Sequence, residues 1–74
     1  DPTIAETYLV LAYCHQFKWQ WTEAEQNYKK AIESNPNLSL AYLEYGRTLY
    51  YQRRFGEAEI NLKKAIELDP FEPN

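Results

Sequence analysis

Apolar and small side chains recur along the chain at intervals of three and four residues, in four runs separated by polar or proline-bearing breaks, which is the helical period. Tyr8, Leu11, Ala12 and His15 mark one face of a first helix, and its turn falls at about Lys18–Gln20. A second helix starts near Thr22, where Thr22 and Glu25 have the T-x-x-E spacing of a capping box: the hydroxyl accepts from one orphan amide and the carboxylate reaches back to another. Ala24, Tyr28, Ala31 and Ile32 form its inner face, and Asn35-Pro36 ends it because proline cannot extend the amide ladder. A third helix carries Tyr42, Tyr45, Gly46 and Leu49, and a fourth Ala58, Leu62, Ala65 and Ile66. Pro2, Pro36, Pro70 and Pro73 all lie outside the periodic runs. Strand-like alternation is nearly confined to the Trp19–Trp21 step, so the expected fold class is all-α.

The chain also repeats itself. At a shift of 34 residues "TEAEQNYKKAIESNP" (22–36) falls on "GEAEINLKKAIELDP" (56–70), with ten identities, among them Glu23, Ala24, Glu25, Lys29, Lys30, Ala31 and Pro36. Tyr8-Leu9 recurs as Tyr42-Leu43, and Trp21 falls on Phe55. A fixed period of this length belongs to stacked arrays of one supersecondary unit. On the outer faces Glu25–Lys29, Lys29–Glu33, Glu59–Lys63 and Lys63–Glu67 stand four apart, a spacing that gives a few tenths of a kcal/mol per pair on a solvated face.

These residues resemble two tetratricopeptide repeats. The family pattern of a large residue, L-G, an aromatic, A-x3-F, A and P reads here as Tyr8, Leu11-Ala12, His15, Ala24, Tyr28, Ala31, Pro36, and again as Tyr42, Tyr45-Gly46, Leu49, Ala58, Leu62, Ala65, Pro70. The resemblance implies two helix–turn–helix repeats stacked as a short right-handed α-solenoid: residues 1–4 as the end of a preceding repeat and a helix start, 5–38 and 39–72 as the repeats, 73–74 as a tail. It gives the small residues a role, since Ala12/Gly46 and Ala24/Ala58 let paired helices approach closely. It places Trp21 and Phe55 at the opening of each second helix, wedged between the two helices of a unit.

Trp19 stands apart. The family often has glycine there, to turn the chain with positive φ, and Trp19 and Arg53 do not favour that conformation, so a different turn geometry is expected. Trp19 has two readings: it folds over the end of its hairpin beside Phe17, or it is an exposed aromatic anchor of the kind enriched at interface hot spots. The W-x-W-x-x-A-E pattern is also similar to repeats in longer bacterial regulatory proteins, behind DNA-binding or cyclase-like effector domains.

Composition narrows the function. The 74 residues are one small domain or a piece of a larger one, with a net charge of −3 and acids and bases intermixed, which opposes a nucleic-acid footprint. Cys14 is the only cysteine, so no intrachain disulfide forms, and a lone thiol suits a reducing, cytoplasmic setting. No apolar run approaches the roughly 18 residues of a membrane span, and the start has no signal-like pattern. No catalytic, cofactor-binding or metal-binding residue is expected. His15 is read as a packed histidine, and Cys14–His15 is a poor dyad because helix neighbours point about 100° apart. Phosphate-loop, zincin and nucleophile-elbow motifs are missing.

In the family the first helices of successive repeats line a concave groove, so the resemblance implies a non-catalytic module that binds a peptide segment of a partner protein. Its register assigns Leu9, Val10, Tyr13, Gln16 and Phe17, with Glu6, from the first repeat. From the second it assigns Leu43, Glu44, Arg47, Tyr50 and Tyr51, with Leu40. The Lys and Asn clamp that some members use on a terminal carboxylate is replaced here by Leu9, Tyr13 and Glu44, so an apolar segment fits better than an acidic tail. The alternative is a structural assembly element. Ile60, Leu68 and Phe71 would lie on an open end of a fragment of a longer array, which would pack within a larger protein or form a homo-oligomer.

Overall fold

A computed structural model describes residues 2–70; the expectations for Asp1, Phe71 and the 73–74 tail lie outside the described residues. The chain forms four helices, α1 (Pro2–Phe17), α2 (Trp21–Ser34), α3 (Ser39–Tyr51) and α4 (Phe55–Leu68). They make two compact units that divide between Pro36 and Asn37, each an antiparallel pair: α1 packs on α2, and α3 on α4. The all-α expectation holds.

Small side chains set the packing. Ala5 and Ala12 of α1 and Ala24 and Ala31 of α2 are buried, with Tyr28 the largest fully buried side chain. In the second unit Tyr45, Gly46 and Leu49 of α3 and Ala58 and Ala65 of α4 are buried, as the periodicity predicts. A Cβ on Gly46 would sit 2.8 Å from both Cγ and Cδ2 of Leu62 and 3.3 Å from the Ala58 carbonyl oxygen, so this crossing requires glycine. Thr48, also buried, satisfies its hydroxyl by donating to the Glu44 carbonyl at 3.0 Å.

Two residues expected on inner faces are exposed instead, Leu11 and Ile66. The buried stripe of α1 runs through Ala5, Leu9 and Ala12, and at 100° per residue Leu11 lies about 200° from Leu9. The α4 stripe runs through Ala58 and Ala65, and Ile66 is one step beyond it. Of the expected wedge pair, Trp21 is half-buried and Phe55 is exposed. Glu25–Lys29 and Glu59–Lys63 do pair, each at 3.6 Å.

The turns correct two expectations. Trp19 (φ 61°) and Arg53 (φ 64°) both adopt the left-handed conformation usually left to glycine. The Gln20 N–H donates to the His15 carbonyl at 2.9 Å and the Trp19 N–H to the Gln16 carbonyl at 3.0 Å, which is the Schellman pattern. Arg54 to Leu49 (3.0 Å) and Arg53 to Tyr50 (2.9 Å) repeat it. The family's turn geometry is therefore kept without the glycine. The Thr22–Glu25 capping box does not form: the N-cap of α2 is Gln20, without a side-chain cap bond. The Ala24 N–H already donates to the Gln20 carbonyl at 3.0 Å, which puts Thr22 inside the first turn rather than before it. Arg54 caps α4 at the equivalent place, and its guanidinium Nε donates to Glu57 Oε1 at 3.3 Å.

Two outcomes follow for stability. Left-handed φ costs an L-residue about 1–2 kcal/mol, against about 0.5–1 kcal/mol for the extra unfolded-state freedom of glycine. Arg53→Gly should therefore stabilise, raising the midpoint of thermal unfolding followed by circular dichroism by roughly 4 °C; an unchanged or lower midpoint contradicts the strain assigned to this turn. Gly46→Val gains about 0.3–0.5 kcal/mol of helix propensity but costs about 1–3 kcal/mol of overpacking against Leu62. The same melt should fall by several degrees, and a rise would show that Leu62 can move aside.

Candidate functional site

The groove residues expected on α1 divide into three kinds. Val10 (57 % exposed) and Phe17 (80 %) stand out in solvent, as does Glu6. Tyr13 and Gln16 are half-buried and held to α2 through Tyr28. The Tyr28 hydroxyl donates to Gln16 Oε1 at 2.6 Å, and its ring meets Tyr13 edge-on with centroids 6.4 Å apart. Leu9, at 4 % exposure, is part of the buried stripe. This corrects its assignment as a contact residue, because a side chain with almost no accessible surface has none to offer a partner.

On α3 the expected residues are more open. Leu40, Tyr50, Tyr51 and Arg47 are exposed, and Leu43 and Glu44 are half-buried. Arg47 Nη1 lies 3.4 Å from Glu44 Oε2, one turn away, so the two charges of this face are paired with each other. Tyr50 is the centre of an aromatic cluster: its ring meets Phe55 edge-on at 5.2 Å and Tyr51 at 6.4 Å. A hollow of about 280 Å³ opens between the first turns of α3 and the end of α4, lined by Ser39, Leu40, Leu43, Ala65, Ile66, Asp69 and Pro70. A second, of about 480 Å³, opens under Tyr50, Phe55, Leu62 and Ile66. Both walls are mostly apolar, so the second unit offers clefts for apolar side chains.

Repeat-equivalent positions set the wall of the second hollow apart from the first unit. Tyr28 and Gln16 of the first unit become Leu62 and Tyr50 in the second, and Thr22 becomes Gly56, whose missing Cβ faces nothing within 4 Å. A fully buried, hydrogen-bonded tyrosine stands in one unit where a shorter, half-buried leucine lines the hollow of the other. The periodicity placed Leu62 on the inner face but carried no signal of the vacancy, which depends on side-chain volume.

Trp19 is 77 % exposed and touches Trp21 edge-on, with centroids 5.7 Å apart and planes at 83°. His15 is half-buried, and its Nδ1–H donates to Gln20 Oε1 at 2.7 Å, tying the end of α1 to the turn. Lys30 on α2 places its ammonium 5.7 Å from the centroid of Tyr8 on α1, a second tie across this unit. Cys14 is exposed. Among the described residues no group of three His, Cys, Asp or Glu side chains could hold a metal ion. No helix among them is long and apolar enough to cross a membrane.

Comparison with known proteins bears on the whole chain. No curated protein matches it. Two family models, both described as tetratricopeptide repeat, match residues 5–38 and 39–71 in tandem. With four helices in two antiparallel pairs, small residues at both crossings and the 34-residue repeat, the chain belongs to the tetratricopeptide repeat family, whose repeats generally mediate protein–protein interaction.

Proposed function

We propose that this chain is a non-catalytic binding module that takes apolar peptide segments of a partner protein on the outward face of α1 in the first unit and on that of α3 in the second. The observation that carries this reading is the exposure of large apolar and aromatic side chains at the positions where the family takes its ligands. They are Val10 and Phe17 on α1, and Leu40, Tyr50 and Tyr51 on α3. Leaving such side chains in water forgoes about 1.5–3 kcal/mol of burial for each, and a partner recovers it. Tyrosine suits the task because it offers large contact area with only two side-chain torsions to freeze. The Glu44–Arg47 pair neutralises the charge of the α3 face, which favours an apolar segment over an acidic or basic one.

A second reading is supported by Ile60, 69 % exposed on α4, with Ile66 exposed on the same helix. Exposed isoleucines of that kind, about 120° apart around the helix, suit self-association or packing within a larger protein, including a bacterial regulatory protein of the type its W-x-W-x-x-A-E pattern resembles.

A displayed random-peptide library selected on the immobilised chain separates the readings. Enriched peptides rich in apolar residues are expected, and Val10→Asp with Tyr51→Asp should weaken them at least tenfold. Ile60→Lys should leave them unchanged while lowering any self-association seen by light scattering. Enriched peptides that ignore both aspartate substitutions, or no enrichment at all, would sink the assignment of these faces.

A further inference from the structure

We draw no further inference here: the strongest candidate, the apolar hollow between the first turns of α3 and the end of α4 lined by Leu40, Leu43 and Ile66, carries nothing because nothing in the structure shows what covers it.

Discussion

Close approach of two helices over small side chains is the constraint on which each unit depends. Ala12, Ala24 and Ala31 in one unit, and Gly46, Ala58 and Ala65 in the other, remove the side-chain bulk that would hold the helices apart. At so short a distance one large side chain per unit must fill what space remains. Tyr28 does so completely in the first unit, and it also converts the crossing into a directional contact by donating to Gln16. A neutral hydrogen bond of this kind nets about 1 kcal/mol, but its loss would strand a buried hydroxyl at a larger cost. In the second unit glycine stands in place of Ala12, the Leu62 side chain packs over it, and Leu62 needs no polar partner.

This difference shapes the surfaces. Where Tyr28 reaches across, it draws Tyr13 and Gln16 toward the core, and α1 keeps Val10 and Phe17 as its open apolar side chains. Where leucine stands at that position, Tyr50 meets Phe55 and Tyr51 edge-on, and a hollow opens between Tyr50, Phe55 and Leu62. Two repeats of one family, with one backbone plan, thus present different side chains to a partner. A pair of substitutions in the repeat, tyrosine for leucine and glutamine for tyrosine, accounts for much of the difference.

The fold was legible in the sequence because it rests on period and small residues, both of which survive in a string of letters. The four helices, the positions of the breaks between them and nine of the buried residues follow from spacing alone. The site was less legible, for reasons of geometry. Leu9 lies in the groove register of the family, yet α1 rotates it into the buried stripe with Ala5 and Ala12, and a phase error of that size is invisible to a heptad-scale reading. The capping box failed because Gln20 serves both as the last residue of one motif and as the cap of the next helix. A turn so short leaves no residue free to let Thr22 precede the helix. The left-handed residues were misread because propensity was weighed without the two backbone hydrogen bonds that over-determine each turn.

Those turns also explain how the family's shape tolerates a change of surface. The chain has two glycines, and neither occupies a left-handed position: Gly46 is demanded by packing, and Gly56 stands at an open site. Both left-handed positions carry long side chains instead, tryptophan in one unit and arginine in the other. In that conformation the Cβ points away from the closed backbone ring, so the side chain's identity has little bearing on the hydrogen bonds that fix the turn. The strain is local and small next to the packing of the pair, which lets the residue vary according to what it meets outside. The turn thus becomes a rigid bracket whose geometry is set by its neighbours and whose chemistry is set by a single residue. It presents an aromatic corner in the first unit and an exposed cation in the second.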